Sequence, residues 1–275
     1  MNQSDLAKIR HLALDMDGTL YSGKTLFSVT VPFLETLSGL GIGYTFFTNN
    51  SSKSVRDYVT HLASMGIAAA PEQFQTSTLA TIAYLTKHYG EGARGFFLGT
   101  ESMVAEFEEA GFVSCDEDPG FVVVGFDPAM SFPRLCRAGY WIKRGKPFIA
   151  THPDRVCPSD QPTLLIDCGS VCAALTAATG RSPEAVPGKP HPMMVEEILR
   201  RHSLSPHELA VVGDRIYTDL AMAHAVGAWG ILVLTGESAR EEGESATPPP
   251  GLILESVGEL AASLEGAKTR ASEAG

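Results

Sequence analysis

The chain has 275 residues, of which 44% are hydrophobic and 19% are charged. This composition excludes a disordered protein and predicts a globular one whose core needs no disulfide bonds to hold it. The formal net charge of −11 at pH 7 argues against binding to nucleic acid polymers, because the sequence has no basic stripe that could neutralise a phosphate backbone. An anionic ligand would have to be attracted locally, by a metal ion or by a few placed basic groups.

The spacing of cysteine and histidine excludes two further kinds of site. The five cysteines form no Cys-x-x-Cys pair and the eight histidines form no His-x-x-x-His pair, so we expect buried or incidental thiols and no zinc site. The N-terminal segment lacks the apolar core of a secretion signal, and no apolar run is long enough to cross a bilayer. We therefore expect a cytoplasmic protein with no membrane partner.

Strand-like and helix-like segments alternate at both ends of the chain, which is typical of a mostly parallel α/β sheet. Apolar runs predict the strands, and helical periodicity that ends at a glycine predicts the helices. In chain order, the expected elements are a strand over 11–15, a helix over 31–40, a strand over 43–48, a helix over 54–65, a strand over 209–213, a helix over 218–225 and a strand over 229–234.

The middle of the chain carries an α/β pattern of its own, with about the length of a small domain. Its expected elements are strands over 95–99, 121–125 and 148–150 and helices over 101–110, 131–143 and 170–179. We therefore predict a discontinuous core, residues 1–79 and 183–275, with an α/β cap domain inserted over 80–182. A domain inserted between two catalytic loops can close over a site and supply contacts to the substrate.

The C-terminal part of the chain is expected to be less regular. Residues 237–251 are rich in Glu, Ser and Pro, which predicts a surface loop before a last amphipathic helix. Residues 266–275 are expected to fray, as chain ends commonly do.

Asp15 and Asp17 are the most informative residues of the sequence. They lie two positions apart, where the apolar run Leu12–Leu14 meets a turn signal. Ligands of open α/β sheets bind at the carboxyl ends of strands, and two carboxylates held close together there repel each other unless a cation or a proton intervenes. A hard divalent cation with oxygen ligands fits best, and Mg²⁺ is the usual one beside phosphate. The alternative is an ordinary Asp-Gly turn.

Thr48, Asn49 and Asn50 follow the second predicted strand, so their hydroxyl and amide groups could donate hydrogen bonds to an oxyanion. The alternative is a helix N-cap, because these residue types are common before a helix such as the one expected over 54–65. Both could hold together, since an anion is stabilised near a helix N-terminus.

Two later segments carry charged residues in similar places. Lys189 lies in a rigid Gly-Lys-Pro-His-Pro segment before a helix, and a fixed ammonium there could balance carboxylates and phosphate, although a lone lysine is usually a surface charge. Asp214 follows a third apolar strand and is predicted to be a metal ligand. Asp219 could cap the next helix or could orient metal-bound water.

Taken in order, these four motifs resemble those of the haloacid dehalogenase (HAD) superfamily. They are Asp15-Met16-Asp17-Gly18-Thr19, Thr48-Asn49-Asn50, Lys189 within Gly-Lys-Pro, and Gly213-Asp214-Arg-x-x-Thr-Asp219. The chain is most similar to the NagD-like and p-nitrophenyl-phosphatase-like branch, whose large α/β cap is inserted between the second and third motifs. Segments 122–127 and 150–154 also look like that branch, so the resemblance covers nearly the whole chain.

The resemblance implies a Rossmann-like core, Mg²⁺ dependence and hydrolysis of phosphate esters. It implies that Asp15 is the nucleophile and Asp17 the general acid/base. It also implies a metal site made by Asp15, Asp17 and Asp214, with Asp219 in support.

The same resemblance assigns the phosphate-binding groups. Thr48 and Lys189 would bind the phosphate, while Asn49 and Asn50 would orient the phosphate or the nucleophile. As a hypothesis, Asp15 forms an aspartyl-phosphate that water then hydrolyses.

Two cap segments depart from the pattern of the branch. His152 stands where the branch often has the asparagine of Ala-Thr-Asn-Pro-Asp, and residues 166–170 read Ile-Asp-Cys-Gly-Ser where Pro-Gly-x-Gly-Ser is common. We expect these departures to affect the choice of substrate rather than the chemistry. His152 is a candidate contact with substrate, and the alternative is a histidine in a surface loop.

Three other functions are weighed against a phosphatase. A haloacid dehalogenase needs neither Mg²⁺ nor an acid at the position of Asp17, and a phosphotransferase or mutase would share all the core motifs. A catalytically silent binding protein would be expected to have lost Asp15, Asp17, Lys189 or Asp214, and all four are present.

The identity of the small-molecule phosphate ester is left open. Sugar phosphates, nucleoside monophosphates, pyridoxal phosphate and the surrogate p-nitrophenyl phosphate all fit the motifs. A cap-mediated homodimer would be in keeping with the resemblance.

Overall fold

A computed structural model describes residues 1–159 and 162–273, and the chain divides into two units. The first unit contains Met1–Phe47, His61–Gln75 and Val195–Gly275. The second unit contains Thr48–Thr60 and Thr76–Met194. Each unit has its own sheet and its own helices.

The strands of the described chain group into two larger sheets and two short hairpins. In chain order they are β1 (His11–Asp15), β2 (Tyr21–Ser22), β3 (Thr25–Leu26), β4 (Gly43–Thr48), β5 (Phe74–Thr76), β6 (Arg94–Leu98), β7 (Val113–Ser114), β8 (Phe121–Val124), β9 (Phe148–Ala150), β10 (Val156–Cys157), β11 (Leu165–Ile166), β12 (Leu209–Gly213), β13 (Trp229–Val233) and β14 (Leu252–Leu254).

The helices mostly alternate with these strands, as the sequence pattern predicts. They are α1 (Gln3–Lys8), α2 (Thr30–Gly39), α3 (Val55–Ser64), α4 (Ser77–Tyr89), α5 (Glu101–Glu109), α6 (Phe132–Lys143), α7 (Cys168–Thr179), α8 (Met193–His202), α9 (Ala221–Val226), α10 (Arg240–Ser245) and α11 (Val257–Glu273).

β1 lies inside the larger sheet, whose strand order is β14-β13-β12-β1-β4-β5. It pairs in parallel with β12 on one side and with β4 on the other. All of its residues are buried, because helices cover both faces of a parallel sheet of this kind. The parallel register brings the carboxyl ends of β1, β4 and β12 to the same edge, and Asp15 stands opposite Phe47.

The second unit is built on a parallel sheet with the order β7-β6-β8-β9. Alternate residues of β8 enter different apolar clusters, since side chains alternate across a strand. Val122 and Val124 pack with α6 and α7, whereas Phe121 and Val123 pack with Phe107 of α5. The α/β fold class with a parallel sheet is therefore confirmed.

Most of the predicted elements are present within about two residues of their expected ends, which is the ordinary uncertainty of helix boundaries. The helix expected over 218–225 is different, because a π-helical turn, Ile216–Leu220, precedes the short α9. α4 has no counterpart among the predicted elements. It begins after Thr76, whose hydroxyl accepts a hydrogen bond from the main-chain N–H of Leu79.

The expectation of a surface loop over 237–251 is wrong in part, because this segment contains α10. The main-chain N–H of Ala239 donates to Oε2 of Glu242 at 2.7 Å, which satisfies one of the free donors at the helix start. Gly243 is buried, and a Cβ there would lie 2.6 Å from a methyl of Leu232. The inner face of α10 therefore packs closely enough to hold the helix in place.

The expectation of fraying from residue 266 is also wrong for the described part of that segment. α11 continues to Glu273, while residues 274–275 lie outside the described residues. The ammonium of Lys268 donates to the carbonyl oxygens of Ala7 and Ile9 at 2.8 and 2.9 Å. This tertiary contact anchors the last turns of α11 to the end of α1.

Within residues 1–159 and 162–273, no helix is both long enough and apolar enough to cross a bilayer.

Substitution of Lys268 tests whether its contact with the carbonyl oxygens of Ala7 and Ile9 anchors the end of α11. Lys268→Ala should lower the free energy of unfolding by about 1–2 kcal/mol, because the two carbonyls at the end of α1 lose a charged donor. Urea denaturation followed by circular dichroism measures the change. Lys24→Ala, which removes an exposed lysine of the first unit, serves as control. Equal midpoints for Lys268→Ala and the wild-type protein would contradict the anchoring role.

Candidate functional site

Polar residues stand where three neighbouring strands end. Asp15 is the last residue of β1, Thr48 is the last residue of β4, and Asp214 comes directly after β12. Because parallel strands present their carboxyl ends at one edge of a sheet, this edge is where such folds bind ligands.

Asp15, Asp214 and Asp219 form a buried carboxylate group in the first unit. One carboxylate oxygen from each lies within 4.8 Å of the others, and all three residues are buried. Negative charges at this separation repel strongly where water is excluded. The group contains Asp219, whereas the metal ligands expected from the sequence were Asp15, Asp17 and Asp214.

Asp214 is held by the main chain of a later loop. Its Oδ2 accepts a hydrogen bond from the N–H of Glu237 at 2.8 Å, and its carbonyl oxygen accepts one from the N–H of Ser238 at 3.1 Å. Burial, together with the charges of Asp15 and Asp219, raises the pKa of Asp214 to about 7. The Oδ1 atom is buried and has no hydrogen-bond partner among the described residues. It is therefore available to a cation.

Glycines allow the neighbouring loops to approach Asp214. Gly18 has φ +86°, and a Cβ there would lie 2.5 Å from Oδ2 of Asp214. A Cβ on Gly236 would collide with the same carboxylate. The hydroxyl of Thr235 donates to the carbonyl oxygen of Gly18 at 2.6 Å and so ties the two loops together. The positive φ and the lack of space both require glycine at position 18.

Asp17 lies in the turn that leaves β1. It forms a short β-bridge with Tyr21, and the N–H of Gly18 donates to the carbonyl oxygen of Tyr21 at 2.8 Å. The hydroxyl of Thr19 donates to Oδ2 of Asp15 at 3.4 Å. The Asp-Gly turn proposed as an alternative is thus real, and it coexists with the carboxylate group.

Asp219 makes a local bond of the kind expected of a cap, while its role in orienting metal-bound water stays a prediction. It lies in the π-helical turn Ile216–Leu220, and its Oδ2 accepts a hydrogen bond from the N–H of Arg215 at 3.2 Å, as a cap would. A Cβ on Gly213 would collide with its carboxyl group, so the turn and the end of β12 are in close contact. π-Helical turns of this kind are common at functional sites.

In the second unit, Asn49 is bonded to the main chain of Lys189. Its Oδ1 accepts a hydrogen bond from the N–H of Lys189 at 2.7 Å, and its Nδ2 donates to the carbonyl oxygen of Lys189 at 3.0 Å. Lys189 is only 4% exposed, so the alternative of a solvated surface lysine is wrong. Asn49 therefore fixes the backbone from which the Lys189 side chain projects.

Thr48 and Asn50 make local bonds within the same segment. The hydroxyl of Thr48 accepts from the N–H of Asn50 at 3.1 Å, and Oδ1 of Asn50 accepts from the hydroxyl of Ser52 at 2.7 Å. The start of α3 is capped instead by Ser54, whose hydroxyl accepts from the N–H of Asp57 at 3.2 Å. The N-cap alternative for residues 48–50 is therefore wrong.

His152 is completely buried, so the alternative of a surface-loop histidine is wrong. Its ring lies between the carboxyl groups of Asp154 and Asp167 in the second unit. Neither aspartate is among the site residues predicted from the sequence, although both lie in the segments that depart from the pattern of the branch. Glu237 is also absent from the predicted site residues, because it contributes its main-chain N–H rather than its side chain.

Comparison with known proteins gives consistent matches. A family model described as haloacid dehalogenase-like hydrolase matches residues 12–113, and a second HAD-hydrolase-like model matches residues 186–260. An acid sugar phosphatase of Staphylococcus aureus is 33% identical over 253 residues, which cover 92% of this chain and 96% of that protein.

Solved structures agree with these matches. A 4-nitrophenylphosphatase from Thermotoga maritima is 40% identical, with a TM-score of 0.90, and the match covers 94% of this chain and 99% of that one. A glycerol phosphate phosphatase from Mycobacterium tuberculosis, solved in complex with magnesium, is 30% identical with a TM-score of 0.85, covering 95% of this chain and 78% of that one.

Gly18→Ala tests the packing around Asp214. The new methyl group would collide with Oδ2 and displace the carboxylate, so we expect thermal stabilisation by MgCl₂ to be largely lost. Differential scanning fluorimetry with and without MgCl₂ measures this. Gly90→Ala, at another positive φ of +77° but in open space, carries similar backbone strain and should keep the stabilisation. A full Mg²⁺ shift in Gly18→Ala would contradict the prediction.

Proposed function

The chain belongs to the haloacid dehalogenase-like hydrolase family, and on that premise we propose that it is a magnesium-dependent phosphatase of small-molecule phosphate monoesters. The observation that carries the proposal is the buried group of Asp15, Asp214 and Asp219. Such a group is relieved by a proton or by a cation, and a hydrolase that binds phosphate beside Mg²⁺ supplies the cation. The phosphatase relatives support the reaction class.

The residues present fit Mg²⁺. All the donors of the group are carboxylate oxygens, which hard cations prefer, and Oδ1 of Asp214 is buried without a hydrogen-bond partner in the described chain. Asp15 and Asp214 would hold the ion, with Asp219 supporting them, while a contribution from Asp17 stays a prediction. When bound, the ion would neutralise negative charge on the phosphoryl oxygens.

Asp15 and Asp17 would divide the chemistry. An oxygen of Asp15 forms a bond to phosphorus while the bond from phosphorus to the ester oxygen breaks, and Asp17 gives its proton to that leaving oxygen. Asp17 then takes a proton from water, whose oxygen attacks phosphorus and releases Asp15 and inorganic phosphate.

Thr48 and Lys189 would bind the phosphate. A buried ammonium and a buried hydroxyl stabilise a bound anion more strongly than exposed ones do, because water screens their interaction with it less. Asn49 would serve by holding the main chain of Lys189 through two hydrogen bonds. Asn50 would orient the loop, in keeping with its bonds to Ser52.

The domain arrangement is part of the proposal. Residues 1–79 and 183–275 would form the catalytic core, and residues 80–182 the inserted cap that supplies the substrate contacts. The fully buried His152 is not among the side chains that a substrate could reach directly. Among ester classes, the names of the relatives favour sugar and polyol phosphates over nucleotides and pyridoxal phosphate. A cytoplasmic location and a cap-mediated homodimer stay predictions.

Asp15→Asn tests the nucleophile. We expect steady-state hydrolysis of p-nitrophenyl phosphate to fall by about 10³-fold or more, because an amide cannot form the aspartyl-phosphate. The variant should stay folded, and without Mg²⁺ it should melt at a higher temperature than wild type, since one of the repelling charges is gone. Asp116→Asn, at an exposed position, is the control. An Asp15→Asn protein with wild-type turnover would refute the role.

Removal of the metal tests the cofactor and the reaction class together. A panel of phosphate esters is assayed with MgCl₂, with EDTA, and with MgCl₂ restored in excess. We expect activity to vanish with chelator and to return with Mg²⁺, with release of inorganic phosphate equal to substrate consumed. Transfer of the phosphate to an acceptor would instead favour a phosphotransferase, and release of halide from a haloacid without Mg²⁺ would favour a dehalogenase.

A further inference from the structure

The ring of His152 lies between two carboxylates inside the second unit. Its Nδ1 is 3.6 Å from Oδ2 of Asp154, and its Nε2 is 3.5 Å from Oδ1 of Asp167. The histidine side chain is fully buried and both aspartate side chains are nearly so. Neither ring nitrogen makes a hydrogen bond within the described chain, so the contacts with the carboxylates are ion-pair contacts. A ring that carries a proton on each nitrogen, and therefore a positive charge, is complementary to both carboxylates.

The surroundings of His152 favour that charged form. Burial alone lowers the pKa of the ring, but the negative charge of the Cys168 thiolate and the carboxylates of Asp154 and Asp167 outweigh burial and raise the pKa to about 9. Charged groups in a buried site are costly unless they are paired. The three side chains therefore form a buried ion cluster in which each charge depends on the others, hereafter the His152 cluster (His152, Asp154 and Asp167).

One end of the cluster is attached to α7. Oδ1 of Asp167 accepts a hydrogen bond from the N–H of Cys168, the first residue of that helix, at 2.6 Å. The N–H of Asp167 in turn donates to the carbonyl oxygen of Arg155 at 3.0 Å. Asp167 is thus fixed both to the helix start and to the segment that carries Asp154.

The other end of the cluster reaches Lys189. The carboxylate of Asp154 accepts from Nδ2 of Asn49 at 3.1 and 3.3 Å, and Asn49 makes the two bonds to the main chain of Lys189. The main chain at Gly188 packs closely against both Asn49 and His152. A Cβ at this position would lie 2.8 Å from Oδ1 of Asn49 and 2.9 Å from Cβ of His152. A continuous set of contacts thus joins α7 to the backbone of Lys189.

We propose that His152 and Asp167 are positioning residues, which hold the Asp154 carboxylate so that Asn49 keeps the main chain of Lys189 in place. The inference rests on the proposed function, in which Lys189 binds the phosphate. Positions 152 and 167 both fall in the two segments where the sequence departs from the pattern of the branch, and the structure places their side chains in contact. The departures therefore compensate each other.

A metal ion in this cluster would explain the geometry less well. One ligand atom from each of His152, Asp154 and Asp167 does lie within 4.8 Å of the others. The two carboxylates nevertheless face opposite nitrogens of one ring, whereas a metal ion takes a single ring nitrogen as ligand. A positioning role can also be told apart from a direct contact with substrate. The phosphate is common to all esters, so a positioning effect does not depend on the leaving group.

The test uses His152→Asn, Asp167→Asn and the double variant, assayed with saturating Mg²⁺. For each single variant we expect kcat/KM for p-nitrophenyl phosphate to fall about tenfold, and the inhibition constant of inorganic phosphate to rise by a similar factor. The Mg²⁺ concentration for half-maximal activity and the ranking of esters should not change. The double variant should lose less than the product of the two single losses, because the side chains act as a pair.

The controls match each substitution within the second unit. His88→Asn replaces an exposed histidine, and Asp118→Asn breaks the exposed pair with Lys146, so both should leave all these constants unchanged. If His152→Asn does not fold, His152→Gln, which keeps a hydrogen-bond donor on a longer side chain, takes its place. Melting temperatures show which variants are folded.

Three results would overturn the inference. An unchanged inhibition constant of phosphate with only a lower melting temperature would make the cluster merely structural, and a changed ester ranking with unchanged phosphate binding would place His152 against the substrate. Strict multiplication of the single losses would deny the pairing. Two measurements keep the claims separate. The absence of hydrolysis by the wild-type protein in the activity assay would overturn the proposed reaction. Equal phosphate dissociation constants for wild type and His152→Asn, measured by isothermal titration, would overturn the positioning role.

Discussion

The repulsion among Asp15, Asp214 and Asp219 is the constraint on which the rest of the first unit depends. Three strand-end and turn segments bring these carboxylates within 4.8 Å of one another, away from water. The parallel register of β1 and β12, the glycines beside Asp214 and the main-chain N–H of Glu237 all act to hold that arrangement. Such an arrangement is unfavourable by itself, and a hard cation makes it favourable.

The second unit also contains two buried carboxylates close to a further titratable side chain. There, Asp154 and Asp167 are buried on either side of a protein cation, the ring of His152. The negative charges of Cys168, Asp154 and Asp167 raise the pKa of His152 to about 9 against the effect of burial, whereas burial, together with the charges of Asp15 and Asp219, raises the pKa of Asp214 to about 7. In the second unit the ring of His152 stands between the two carboxylates, whereas in the first unit Oδ1 of Asp214 has no hydrogen-bond partner among the described residues. The contrast agrees with the two proposed roles: the His152 cluster positions the main chain of Lys189, and the group of Asp15, Asp214 and Asp219 binds the cation.

Local signals in the sequence predict the strands and the strand-end residues well. β1, β4 and β12 are apolar runs closed by polar residues, so Asp15, Thr48 and Asp214 could be assigned to one edge from pattern alone. Features that depend on distant contacts could not be predicted: the last turns of α11 are held by Lys268 at α1, and the partners of His152 follow it by two and by fifteen positions. The position of Asp219 in the sequence fits either a cap or a group that orients metal-bound water, and its membership of the carboxylate group depends on a π-helical turn that no local pattern predicts.

Calorimetric titration of MgCl₂ into the purified protein, with Asp214→Asn measured beside it, is the most direct test of the cation requirement. The account predicts that wild type binds magnesium and that the variant binds it at least about tenfold more weakly, because the unpartnered oxygen and one charge of the group are lost. Equal affinities for the two proteins, or full phosphatase activity in a wild-type protein that binds no magnesium, would contradict it.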